Sequence, residues 1–443
     1  MPGAPWIVSG TPLHVGTIDR LHVAVRQPLP MTTRSPGPPE TDPLSPGHPG
    51  SVTEVAAVFL KLGVSSFGGP IAHLGYFHRE FIQRRRWLDE EHYGQLLALC
   101  QFLPGPASSQ LGFALGLVRA GWLGAVAAFV AFTLPSALFL LALAAAGAYL
   151  DNLWGRAAIH GLKLVAVAVV AHAVLTMART LTPDRTRIFM AMAAAIFILL
   201  AGNAWIQLVL VAGGAALGPW LCRTVTARSG ESFALAYGRR GGALLLSLSG
   251  VLLAIALVPW SGASPLAQAA CAFYRTGALV FGGGHVVLPL LQQAVVAPGW
   301  LDNDTFLAGY GAAQAVPGPM FSLSAFLGAR MHDGQYGVLG AATSLLAIFL
   351  PGLLLVAGAL PFWRALGARK EASRMMAGVN AVVVGLLAAA LYDPVWISAV
   401  RDVKDFAIAL AAFVLLAFAR GSALAVVIFC VSASILLAAY PRL

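Results

Sequence analysis

The chain has 443 residues, of which 58% are hydrophobic and 10% charged, and a formal net charge of +10. So little charge cannot clothe a water-soluble surface, where about 25% is usual, so part of the solvent must be lipid. The basic excess does not point to nucleic acid, because it sits in short clusters between apolar runs, such as Arg84-Arg85-Arg86 and Arg239-Arg240, where the positive-inside rule expects it.

Residues 1–50 are rich in Pro, Gly, Ser and Thr and contain no apolar run of signal-peptide length. They are expected to form a disordered tail, and Met31, which opens a second Pro-rich stretch, is read as an alternative start. Interrupted segments come next. Short apolar runs flank Phe67-Gly68-Gly69-Pro70, and two more, 93–103 and 107–118, flank Pro104-Gly105-Pro106. Each is shorter than the roughly 20 residues a helical span needs. Proline removes a backbone donor and clashes with the turn before it, so helices should stop at these motifs.

Full spans are expected at 122–149 and 157–178, then a helical pair, 188–201 and 204–222, turning at Gly202-Asn203. A basic loop and one more span, 242–260, form a linker over 221–264. Interrupted segments return at Phe281-Gly282-Gly283-Gly284 and Pro317-Gly318-Pro319. Spans follow at 336–361 and 375–392, and the run 405–440 is long enough for two. The total is about 9–13 spans, depending on how the broken segments are counted. Cys100, Cys222, Cys271 and Cys430 lie in or beside apolar runs without metal-ligand spacing and read as small buried residues.

The motifs repeat in one order. Phe67-Gly68-Gly69 returns as Phe281-Gly282-Gly283, Trp87-Leu88-Asp89 as Trp300-Leu301-Asp302, and Pro104-Gly105-Pro106 as Pro317-Gly318-Pro319. Gln101 returns as Gln314, Lys61 as Arg275 and Pro135 as Pro351, all at an offset of about 213–216 residues. Two homologous halves, 51–220 and 265–443, follow from this. Charge separates them: the 79–86 loop holds Arg79, Arg84, Arg85 and Arg86, whereas its counterpart at 298–305 holds Asp302 and Asp304 and no basic residue. The 364–374 loop is basic, and its counterpart near 150–156 has only Arg156. Equivalent loops on opposite sides define an inverted repeat. The expected fold is an all-α integral membrane protein in inverted repeat, with broken or re-entrant helices at the two motifs.

Helices that restart inside the membrane direct N–H groups and a positive dipole end at its interior, an environment that favours an anion. The expected binding set is Gly68, Gly69, Pro104, Gly105 and Pro106 with Gly282, Gly283, Gly284, Pro317, Gly318 and Pro319, whose counter-reading is kinks and packing sites. Lys61 and Arg275 precede the glycine clusters within apolar runs and could add charge or snorkel to the interface. Gln101 and Gln314 could donate amide hydrogens to an oxyanion or bond between helices, and Ser108, Ser109, Ser322 and Ser324 could assist. No Asp or Glu sits mid-span, which argues against a cation carrier. His73, His160, His172 and His285 read as structural. No nucleophile triad, phosphate loop or zinc spacing appears, so no enzyme, cofactor or metal site is expected.

These motifs, with Leu134-Pro135-Ser136 and Phe349-Leu350-Pro351, resemble those of the chromate ion transporter family in its long, two-domain form, over about residues 51–440. The expected mechanism is alternating access driven by membrane potential or proton motive force; the resemblance implies a bacterial inner-membrane protein that exports chromate and confers resistance. Its implied partners are a chromate- or sulfate-like oxyanion and membrane lipid, with a homodimer an open option. Sulfate or other oxyanion uptake is the alternative, since chromate and sulfate are both tetrahedral dianions, and a non-transporting receptor is a third class.

Overall fold

The computed structural model describes residues 50–439 apart from 68, 147–151, 202–203, 225–232, 234, 236, 259–261, 282–285, 364, 366–368 and 420. The N-terminal tail, Gly68, Gly282, Gly283, Gly284, His285 and the turn at Gly202-Asn203 lie outside the described residues.

Regular structure among the described residues is entirely helical. The first half holds α1 (Val52–Ser65), α2 (Gly69–His78), α3 (Glu90–Phe102), α4 (Ala107–Ala146), α5 (Leu153–Leu181), α6 (Arg185–Ala201) and α7 (Ala204–Leu221). A π-helical turn, Arg79–Arg84, extends α2. The linker helix α8 (Arg239–Leu257) leads to α9 (Pro265–Leu279), α10 (Val287–Val295), α11 (Asn303–Ala315), α12 (Leu323–Arg330), α13 (Gly337–Ala359), α14 (Lys370–Ala390), α15 (Val403–Ala417) and α16 (Ala423–Ala439). The run at 405–440 is thus two helices.

Among the described residues five helical stretches are long and apolar enough to cross a membrane: Ala107–Ala146, Leu153–Leu181, Arg239–Leu257, Gly337–Phe362 and Lys370–Ala399. Leu123, Phe139, Phe189, Leu200, Leu244 and Val338 are exposed on their outer faces and neighbouring helices, as lipid-facing surfaces require.

The recurring motifs have local physical roles. Asp89 and Asp302, which end the two Trp-Leu-Asp motifs, cap α3 and α11 by accepting from the amides of His92 and Thr305. The two runs expected at 107–118 and 122–149 are two helical segments of α4 that meet at a non-helical break, Ala120-Gly121, where Gly121 takes φ +65. Its second-half counterpart is likewise two helices, α12 and α13.

Glycines let these helices touch. A Cβ on Gly63 of α1 would stand 2.8 Å from the Phe132 carbonyl oxygen of α4, and one on Gly277 of α9 would overlap the Ile348 carbonyl of α13. Gly116 faces Gly124 across the break in α4, as Gly328 of α12 faces Gly340 of α13. Close backbone approach through small residues is how membrane helices gain packing energy.

The long helix of each half is covered by the other half. α5 packs against α15 and α16, and α14 packs against α6 and α7. Gly161 of α5 meets Val431 of α16, and Gly218 of α7 meets Arg374 and Met375 of α14. Not every pairing is duplicated: α11 lies along α5, with Gly311 against the Leu162 carbonyl, whereas among the described residues α3 has no comparable packing on α14.

Candidate functional site

One face is fixed by a charge cluster. Glu54, in the first turn of α1, lies 3.3 Å from Arg85 beyond α2 and 3.4 Å from Arg119 at the end of the first segment of α4. Its carboxylate also accepts from the Trp87 indole at 3.2 Å, and the Arg119 guanidinium sits 5.3 Å from that ring. The start of α1, the end of α2 and the break in α4 therefore meet.

Nearby Glu80 is buried and held by Arg85 at 2.7 Å and Arg84 at 3.1 Å. Burial by itself would raise its carboxyl, but hydrogen bonds and charge from Arg85 and Arg84 outweigh it and hold the group below its ordinary 4.5. A lowered folded value means that the stabilisation is complete above 4.5 and is lost as pH falls through the folded value. The difference in thermal stability between the wild type and Glu80→Gln should therefore stay constant from neutral pH down to 4.5 and close below it; a gap that closed near neutrality would contradict the assignment.

Deeper in the chain the two halves are stitched together reciprocally. The Gly105 amide donates to the Val280 carbonyl at 2.7 Å, and the Gly318 amide donates to the Ser66 carbonyl at 3.0 Å. Each Pro-Gly-Pro turn is thus bound to the chain just before the glycine cluster of the other half. The turns also rest on the other half's proline-containing helix. Gly105 lies against Gly352, beside Pro351 of α13, and Gly318 lies against Ser136, beside Pro135 of α4. Gly105 and Gly318 take φ +122 and +102, values that glycine adopts without strain.

Polar side chains gather here. Gln110 Nε2 donates to the carbonyls of Pro104 and Gly352 at 2.9 and 3.1 Å, and the hydroxyls of Ser136 and Ser322 are 2.7 Å apart. His73 bonds the Ser66 carbonyl through Nε2 at 3.1 Å, with Nδ1 3.5 Å from the Ser108 hydroxyl. Ser66, Ser109 and Thr133 are buried with hydroxyls that have no hydrogen-bond partner among the described residues. Orphaned buried hydroxyls are costly and rare, and they can donate to an incoming ligand.

Of the residues singled out by sequence, Gly105 and Gly318 form the cross-links, Pro104 supplies an acceptor, and Pro106, Pro317 and Pro319 frame the turns. Gly69 opens α2 with φ +76. Gln314 is buried with Nε2 3.2 Å from the Met320 sulfur, whereas Gln101 is exposed. Lys61 is exposed on α1 and Arg275 is half-buried, and neither has an ion-pair partner among the described residues. Sequence reasoning passed over Gln110, Ser66 and Thr133, which only adjacency to the breaks could have flagged. It also passed over Lys163, whose signal was a lone cation within the apolar run 157–178.

Lys163 of α5 is 2% exposed, and its amine lies 2.6 Å from Asp304 in the first turn of α11. One turn earlier, His160 lies 2.7 Å from Asp405 of α15. Both pairs join α5 to the second half.

Duplicated, lipid-facing helical halves, with broken helices meeting in a polar interior, define a multi-pass membrane transporter. The sequence profile described as Chromate transporter matches residues 53–219 and again 267–436. The chain belongs to the chromate transporter family, in its long form with two family segments, and the family is one of transporters rather than enzymes. It is 31% identical over 373 residues to a "Probable chromate transport protein" of Synechococcus elongatus, covering 80% of this chain and 87% of that one. It is 30% identical over 391 residues to a "Chromate transport protein" of Cupriavidus metallidurans, covering 86% and 92%. A "Chromate transport protein" of Pseudomonas aeruginosa is 29% identical over 372 residues, covering 80% and 83%. No solved structure matches the chain.

Proposed function

We propose that the protein exports the chromate dianion across the bacterial inner membrane by alternating access between inverted halves, with α1–α2, α3 and the start of α4 acting as re-entrant hairpins. The observation that carries this reading is the reciprocal bonding of each Pro-Gly-Pro turn to the chain before the opposite glycine cluster. It brings the interrupted segments of both halves to a common centre. The first-turn amides of α4 begin there, and Ser66, Ser109 and Thr133 supply hydroxyl donors. Oxyanion oxygens accept from such groups, and fixed dipoles in a dry interior bind charge without many charged side chains.

We infer alternation from the unmatched packing of α11 on α5. In this reading the packing of α11 on α5 closes one side, and the weaker packing of α3 on α14 leaves the other side open. Exchange of these two contacts generates the opposite state. The moving elements are then the hairpins rather than entire halves, since α5 and α14 are each held by the other half.

Energetics favour expulsion. One charge crossing 100 mV is worth about 2.3 kcal/mol, so a dianion leaving a cell at about 150 mV gains roughly 7 kcal/mol, or about five decades of concentration. The test is chromate uptake into everted vesicles under an imposed potential with sulfate as competitor. Accumulation that grows with potential and resists excess sulfate is the expected result. Sulfate accumulation without chromate movement would replace this reading with sulfate carriage, and movement of neither anion would remove it.

A further inference from the structure

A groove of about 620 Å³ runs between the end of α5, the first half of α6 and the last turns of α14. Its walls are apolar, including Val174, Leu175, Ile188, Met192 and Val384, and its end is marked by Arg179 and Thr182. Beyond the groove the surface is basic. Arg179 and Arg185 are exposed and have no ion-pair partner among the described residues, while Asp184 is already neutralised by Arg187 at 2.7 Å. Arg374 donates to the Arg223 carbonyl at 3.2 Å, and Cys222, one residue before Arg223, lies close to Asp184 and Arg187. The carboxylate next to the groove lining, Asp184, is therefore spent, and Glu371 lies in the first turn of α14, away from the lining residues. The first-turn amides of α6, which begins at Arg185, add their own positive end.

An apolar channel facing lipid, closed at one end by unpaired guanidinium groups, matches a ligand with a hydrocarbon chain and an anionic head. We propose that this groove is a binding site for one anionic phospholipid, with an acyl chain between α5, α6 and α14 and its phosphate on Arg179. A zwitterionic lipid fills the apolar part equally well but carries a cationic group to a basic rim, so charge sets the preference. The groove also lies on a seam, because α5 and α6 belong to the first half and α14 to the second. Occupancy therefore couples lipid composition to the cohesion of the halves.

The experiment uses the full-length protein in neutral detergent and follows its thermal unfolding midpoint. Phosphatidylglycerol, phosphatidylcholine of the same chains, and inorganic phosphate are titrated separately. Phosphatidylglycerol should raise the midpoint at concentrations about fivefold lower than phosphatidylcholine, the weight of one arginine facing an anionic headgroup. Arg179→Gln should erase that preference and leave the phosphatidylcholine response intact. Ala195→Phe, which fills the channel, should weaken both lipid responses. Equal potency of the two lipids on the wild type, an unchanged preference in Arg179→Gln, or a full response to inorganic phosphate alone would each overturn the site.

Discussion

Replacing Gly318 by valine is expected to abolish chromate transport and to destabilise the folded protein by about 3 kcal/mol or more. Three effects coincide. The residue sits at φ +102, where a β-branched side chain is heavily strained. A Cβ would stand 2.9 Å from the Ser136 hydroxyl and 3.2 Å from the Phe132 carbonyl oxygen, and the latter belongs to backbone that cannot yield. Any local shift that relieves the clash also breaks the hydrogen bond from the Gly318 amide to the Ser66 carbonyl in the other half. Gly105→Val should behave alike, since its Cβ would lie 3.0 Å from Gly352 Cα. Gly299→Ala is the control. That glycine is also left-handed, at φ +76, but has nothing within 4 Å of the added carbon, so only the backbone term of about 1–2 kcal/mol remains. Thermal unfolding in detergent, paired with vesicle transport, separates the two cases. Near-normal transport by Gly318→Val would refute the role given to the cross-link.

The second large effect is an asymmetry between two partners. Asp304→Asn should cost about 3 kcal/mol, because it leaves the Lys163 ammonium buried without a counter-charge. Lys163→Met should cost much less, since the Asp304 carboxylate it strands is 58% exposed and solvated by water. The double variant should recover most of the loss, as replacing a whole buried pair by apolar groups often does. Unfolding midpoints of the three variants test this directly, and equal losses in the two single variants would mean that Lys163 finds water or another acceptor. The pair also ties α11 to α5, so in transport assays Asp304→Asn should shift the balance between the two access states.

The breaks were readable in the sequence because glycine and proline act on their own backbone. Gly105 and Gly318 lie in Pro-Gly-Pro motifs that break a helix by themselves, whereas the capping by Asp89 and Asp302 showed in the sequence only as a repeated Trp-Leu-Asp. Duplication was readable because an offset is a property of the string. What the offset could not give was partnership. It says that Gly105 resembles Gly318, but not that Gly105 bonds Val280 and Gly318 bonds Ser66. Exposure was equally hidden. Lys61 and Lys163 both stand in apolar runs, yet one points outward and the other is enclosed by the opposite half. Gln110, four residues past its Pro-Gly-Pro motif, was passed over because its importance comes from Gly352, which is 242 residues away. Cys271 is only part-buried, unlike Cys100, Cys222 and Cys430, since a place beside an apolar run does not choose the side of the helix.

The exchange of cover between α5 and α14 bears on how such a molecule can be subdivided. Severing the loop between α7 and α8 would not yield two autonomous proteins, because each fragment would display the bare flank of a helix whose wall is encoded on the other fragment. The smallest self-sufficient unit is a pair of repeats, carried on one polypeptide or supplied by two. A lone repeat would have to recruit a second copy of itself, and gene fusion converts that requirement for a partner into a tether.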